Sequence, residues 1–185
     1  SFLAMLLLLS SCSNLNEDEA KEYIENGRVF MAQNKPETAV MEYMKAINAD
    51  PSNETALFEL AEIHILQRKL EAAVRYYKLA AQANKKNILP HIRLAQIYTR
   101  MEHLLDARDE INAIFEIDPD SITGYHLLSS VQIKERDLES AIETLSKAAA
   151  IDSNNVKTFV SLAQLYQRTN RKSDAKASYS KAISV

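Results

Sequence analysis

Alanine recurs at a constant interval of 34 residues along this chain, at Ala39, Ala73, Ala107, Ala141 and Ala175. A second series seven residues later reads Ala46, Ala80, Ile114, Ala148, Ala182, and a third reads Gly27, Ala61, Ala95, Ser129, Ala163. Between the first two lie Tyr43, Tyr77, Ile111, Leu145 and Tyr179, and leucine recurs at Leu60, Leu94, Leu128 and Leu162. Five copies in register, with no insertion, describe one supersecondary unit that buries its apolar face only by stacking on its neighbours. Small residues on one face of each helix let axes approach toward the short end of the 8–10 Å range, and large apolar residues a turn away fill the neighbouring grooves.

The junctions carry the chemistry of helix ends. Asn53, Asn87, Ser121 and Asn155 hold one repeat position, and each is a favoured N-cap residue. An acid stands in the first turn of every second helix (Glu37, Glu71, Asp106, Glu139, Asp174), where negative charge complements the helix dipole. Asp50-Pro51 and Asp118-Pro119 are expected to stop the helices before them, since proline cannot continue a helix. Each repeat therefore reads as helix, tight turn, helix, and the chain as all-α.

Composition removes most alternatives. Two glycines in 185 residues argue against a Gly-rich phosphate loop or a many-turned β-sandwich. A single cysteine excludes an internal disulfide and a thiolate zinc cage. With 22 basic and 25 acidic residues the net charge is −3, so no bulk attraction to nucleic acid is expected. The four histidines, His64, His91, His103 and His126, are spread over three repeats without metal-ligand spacing, and no nucleophile motif is present. Asp106, Arg108, Asp109 and Glu110 read as a solvated helix face. No metal, cofactor or catalytic group is expected.

The large–Leu–small–aromatic pattern of the first helix and the Ala–aromatic–Ala pattern of the second resemble the tetratricopeptide repeat (TPR) family. The resemblance divides residues 20–185 into repeats 20–53, 54–87, 88–121, 122–155 and 156–185. It implies a right-handed α-α superhelix. Departures are modest: Asn26 replaces a leucine, His64 and Gln132 an aromatic, and Lys85 and Ser153 the proline found at 51 and 119. The last repeat ends on Tyr179, Ala182, Ile183 and Val185 without a polar closing helix. Further chain beyond Val185 is expected, or self-association through this uncapped repeat.

The amino terminus is a separate case. Phe2 to Leu9 is an apolar block too short for a bilayer span, which takes about 20 residues, and of the length of a signal-peptide core. It leads into Leu9-Ser10-Ser11-Cys12, which resembles a bacterial lipoprotein signal with Cys12 as the lipid-attachment residue. No Lys or Arg precedes Cys12, so a few upstream residues are expected to be missing. Residues 1–12 are read as a partial signal, 13–19 as a tether and 20–185 as the repeat domain. Ser13 lacks the acid that in that family favours the inner membrane, so the resemblance implies an expected location on the periplasmic face of the outer membrane.

In the TPR family the first helix of each repeat lines a concave groove. Carried over position by position, this names Ile24, Arg28 and Met31 in the first repeat and Phe58, Glu62 and Ile65 in the second. It names Ile92, Gln96 and Arg100 in the third, His126, Ser130 and Lys134 in the fourth, and Val160, Gln164 and Arg168 in the fifth. Ile24, Met31, Phe58, Ile65 and Ile92 are expected to form an apolar run for hydrophobic anchors, and Arg100, Lys134 and Arg168 a basic row for carboxylates. Ile24, Arg28, Phe58 and Glu62 stand where the family's chaperone-tail clamp needs Lys and Asn, which excludes that ligand. The reading is a non-catalytic, membrane-anchored scaffold that holds a peptide or protein of an envelope assembly, secretion or exopolysaccharide system. Its overall pattern is similar to the TPR lipoproteins of exosortase systems, with pilus-assembly and outer-membrane-assembly lipoproteins as close rivals. The alternative is the substrate-recruiting part of a larger enzyme, such as a glycosyltransferase or peptidase.

Overall fold

A computed structural model describes the backbone of residues 2–184 and the side chains of residues 16–184. The apolar block from Phe2 to Leu9, Cys12 and Val185 all lie outside the residues whose side chains are described. Among the described residues there are ten helices and no strand. The first helices of the repeats are α1 (Phe2–Ala32), α3 (Glu54–Leu66), α5 (Leu89–Arg100), α7 (Ile122–Lys134) and α9 (Val156–Arg168). The second helices are α2 (Pro36–Ala49), α4 (Leu70–Ala83), α6 (Leu104–Ile117), α8 (Leu138–Ile151) and α10 (Lys172–Ser184). Residues 16–19, expected as part of a tether, continue α1. No described helix is long and apolar enough to cross a membrane.

The chain divides into two compact units, 1–90 and 91–185. In the first, Ala20, Ile24, Ala39, Tyr43, Ala46, Ala56, Leu60 and Ile63 form a buried cluster. Gly27 makes room in it: a Cβ there would lie 2.8 Å from the Tyr43 ring, far inside van der Waals contact. In the second, Ala141, Ile142, Leu145, Leu162 and Leu165 form the equivalent cluster. Ala39, Ala73, Ala107 and Ala141 are all fully buried, so the periodic alanines are the positions where helices touch. Polar groups also tie the elements together. Within the second repeat Glu54 accepts from Asn84 Nδ2 at 2.8 Å and from Asn87 Nδ2, and between the third and fourth Arg108 donates through Nε to Glu135 at 3.1 Å. His91 Nδ1 lies 2.7 Å from Glu110, both half-buried, so Arg108 and Glu110 join neighbouring elements rather than a purely solvated face.

Three of the expected N-caps form as read. Asn53 accepts from Ala56 N–H, Ser121 from Gly124 N–H and Asn155 from Thr158 N–H, each three residues on. At Asn87 the third residue is Pro90, which has no N–H, so the Asn87 side chain accepts from Leu89 at 2.9 Å instead. The helix ends depend less on proline than the sequence implies. Asp50, Asn84, Asp118 and Asp152 each cap the preceding helix, and their side chains accept from the backbone N–H two residues on. This Asx turn forms equally before Lys85 and Ser153, where proline is absent.

Between the two helices of every repeat one residue adopts the left-handed conformation: Asn34, Arg68, Glu102, Arg136 and Asn170, with φ from 56° to 66°. Around each, two reverse hydrogen bonds close the helix. Arg136 N–H bonds to Ile133 O at 3.1 Å and Asp137 N–H to Gln132 O at 2.9 Å, the pattern of a Schellman motif. Glycine is the residue that takes this conformation without a Cβ penalty, yet none stands at these five turns. Arg136→Gly is expected to raise the urea midpoint, a gain of about 1 kcal/mol once the glycine's added unfolded-state entropy is offset. Arg136→Ala keeps a Cβ in the strained region and leaves the midpoint unchanged. A lower midpoint for the glycine variant contradicts this account.

Candidate functional site

Residues four apart on a helix share a face, so the three groove positions named for each repeat stand on one side of its first helix. The two units use that side differently.

In the first unit most of these side chains are committed to the fold. Ile24 is 6% exposed and lies inside the apolar cluster, so it offers no surface to a partner. Met31 packs against the same cluster, half-buried. Phe58 is half-buried with its ring edge-to-face on Tyr77, centroids 5.4 Å apart, and Ile65 is also half-buried. Glu62 accepts a 2.6 Å hydrogen bond from the Tyr77 hydroxyl, and Arg28 is exposed but pairs with Glu59 at 3.4 Å. Burial pushes the phenol of Tyr43, one repeat before Tyr77, up to about 12, and its oxygen has no hydrogen-bond partner among the described residues. The expected apolar run is thus chiefly internal packing in this unit. Leu66, at the next surface position, is exposed.

In the second unit the same positions converge on open surface. Gln96, His126, Ser130, Gln164 and Arg168, joined by Lys157, line a depression of about 410 Å³ on α5, α7 and α9. Its floor is apolar, formed by Leu127, Ile133, Leu145 and Leu165. Gln96, Thr99, Arg100, Leu127, Ser130 and Lys134 line an adjoining depression of about 510 Å³. Seven of the nine residues named for these three repeats are therefore brought together. Ile92 and Val160, both half-buried, line neither hollow. Ser129 and Ser161 line the first hollow although the groove positions did not include them. Ser161 is three residues before Gln164 on α9, a spacing that puts it on the same helix face. Leu145 reaches the floor from α8, which no first-helix pattern could reveal.

The electrostatics are one-sided. Arg100, Lys134, Lys157 and Arg168 line the two hollows, and among the described residues no Asp or Glu does. Lys134 Nζ is 3.2 Å from Glu102, but both side chains are exposed, and such pairs contribute about 0–1 kcal/mol. Arg100 and Arg168 form no ion pair with a described residue. Between the helices runs a small polar relay. The Thr158 hydroxyl donates to Asn155 Oδ1 at 3.0 Å, so its oxygen accepts from His126 Nε2–H at 3.0 Å, which fixes the imidazole tautomer. Burial, and next the Lys157 charge, hold the His126 pKa below its ordinary value, so the ring is neutral at pH 7. Among the described residues no group of three or more His, Cys, Asp or Glu could hold a metal ion. Ala182 is buried and Ile183 exposed at the end of α10.

Family models described as tetratricopeptide repeat match residues 24–88, 64–130, and 122–155 with 156–185. The chain belongs to the tetratricopeptide repeat family, and its fold is that family's all-α helix-turn-helix array. Among solved structures it is similar to MamA (residue 41 to the end) from Desulfovibrio magneticus RS-1, with TM-score 0.76 and 17% identity over 90% of this chain and 94% of that one. It is similar to Pseudomonas aeruginosa PilF, with TM-score 0.76 and 17% identity over 91% of this chain and 77% of that one. A third, YrrB, described as a TPR protein with an unusual peptide-binding site, aligns with TM-score 0.68 and 18% identity over 95% of this chain and 90% of that one. No curated protein matches the sequence.

The His126 relay has a pH signature. A histidine whose folded pKa lies below its unfolded value of 6.5 contributes stability above 6.5 that is lost as the pH falls through the folded value. His64, also depressed chiefly by burial, acts in the same sense. Chemical denaturation at pH 7.5 and 5.0 is expected to show the wild type losing more stability on acidification than His126→Gln does. Equal losses in the two proteins contradict the assignment.

Proposed function

We propose that the chain is a non-catalytic interaction module that holds a polypeptide partner on the exposed faces of α5, α7 and α9. The observation that carries this reading is the convergence of exposed Gln96, Arg100, Ser130, Lys134, Gln164 and Arg168 around two adjoining hollows with apolar floors and no acidic lining. Side chains with no role in packing, gathered in one place with one sign of charge, are what a binding face requires and a structural face does not. The likeness to YrrB, a protein described as having a peptide-binding site, supports a polypeptide as the ligand.

The Leu9-Ser10-Ser11-Cys12 motif supports a lipid anchor at Cys12 on the periplasmic face of the outer membrane. On this reading the anchored module serves an envelope assembly, secretion or exopolysaccharide machine, and the systems that use exosortases are the first to test. Lys134→Glu combined with Arg168→Glu is expected to lower crosslinked capture of the native envelope partner at least tenfold, with helical circular dichroism unchanged. Cys12→Ser is expected to lose incorporation of a fatty-acid probe. Undiminished capture contradicts the binding face, and equal labelling of wild type and Cys12→Ser contradicts the anchor.

A further inference from the structure

The binding face carries two parallel rows. Gln96, Ser130 and Gln164 form one, and Arg100, Lys134 and Arg168, four residues further along each helix, form the other. Four residues of helix rise about 6 Å, so the rows run side by side across α5, α7 and α9. The helices are neighbours: His126 Nε2 on α7 reaches Thr158 Oγ1 on α9 at 3.0 Å, and Gln96 of α5 shares both hollows with Ser130 of α7. Neighbouring helix axes stand about 8–10 Å apart, which sets the spacing of the cations along their row.

An extended polypeptide advances about 3.1–3.4 Å per residue, so every third residue recurs after about 9–10 Å, the same interval. In the polyproline II conformation, with three residues per turn, those third residues also point the same way. The amide row favours such an occupant over a helix. An extended backbone has free N–H and C=O groups that need partners, while a helix has already paired its own. Gln164 offers both donors and an acceptor, and Gln96 offers both donors and the second lone pair of an oxygen that already accepts from Arg93 at 3.5 Å. Ser130 donates its proton to His126 O at 2.8 Å and keeps its oxygen available as an acceptor. The cation row, unopposed by any acid in the lining, asks for carboxylates, which guanidinium groups can take in bidentate fashion.

We propose that this face takes an extended acidic segment of the partner protein, with a carboxylate at every third residue set on Arg100, Lys134 and Arg168. The segment's backbone hydrogen-bonds along Gln96, Ser130 and Gln164. The inference rests on the binding-face reading above and specifies the chemistry of its ligand.

The test uses the full chain and labelled 12-residue peptides read by fluorescence anisotropy. One peptide carries Glu at every third position in an Ala/Pro background. A second has the same composition with its Glu residues consecutive, and a third is a helix-forming peptide with the same number of Glu residues along one face. The every-third peptide is expected to bind at least tenfold tighter than either of the others. Lys134→Glu is expected to weaken it at least tenfold, and Gln96→Ala with Gln164→Ala to weaken it while leaving helicity intact. Equal affinity for the spaced and consecutive peptides, or tighter binding of the helical one, overturns the proposal. If that happens while Lys134→Glu with Arg168→Glu still abolishes native capture, the ligand chemistry fails and the binding face stands. If that double variant leaves native capture intact, the binding face itself fails.

Discussion

Close approach of helices at alanine is the interaction on which the rest of this molecule depends. Ala39, Ala73, Ala107 and Ala141 have no exposed surface, and each stands where a larger side chain would force neighbouring axes apart. The same demand explains Gly27, whose missing Cβ is the space taken by the Tyr43 ring. Because every repeat meets this demand at the same 34-residue interval, within each unit a helix pair is held by the one beside it. The exposed face of each first helix is then free of packing duty and can vary, which is where recognition is built.

That division of labour explains how much was legible beforehand. Residues under a packing constraint repeat, so the alanine series, the leucines and the capping Asn and Ser residues fixed the register and the helix boundaries. Features set by backbone geometry were harder to read. The left-handed turns at Arg68, Glu102 and Arg136 left no mark, because the residue type that would have announced them is absent. The sequence assigns the helix ends at Asp50 and Asp118 to the prolines that follow, while the Asx turns at Asn84 and Asp152 do the same work with no proline. Asn87 looks like an ordinary cap by residue type, although Pro90 three residues on removes the N–H such a cap would accept from.

The site was legible in position but not in use. Repeat numbering names the same surface positions in every copy, and it says nothing about what stands opposite them. Glu62 is engaged by the Tyr77 hydroxyl, Phe58 by the Tyr77 ring, and Ile24 and Met31 by their own apolar cluster, so four of the six positions named in the first unit serve the fold. In the second unit six of the nine equivalent positions are exposed Gln, Ser, Arg and Lys, polar groups too exposed to be packing partners, and there they gather around open hollows. The decisive difference is tertiary: whether a complementary side chain from a neighbouring helix already occupies the position.

Photo-crosslinking from single sites measures most directly whether the first-helix face is where a partner sits. A photoreactive residue placed in turn at Gln96, Ser130 and Gln164 reports on α5, α7 and α9. The same residue at Glu143, Lys147 and Lys176, all exposed on α8 and α10, reports on the second helices. The account predicts adducts with one native partner from the first three positions and none from the second three. Adducts from α8 and α10 alone would contradict it.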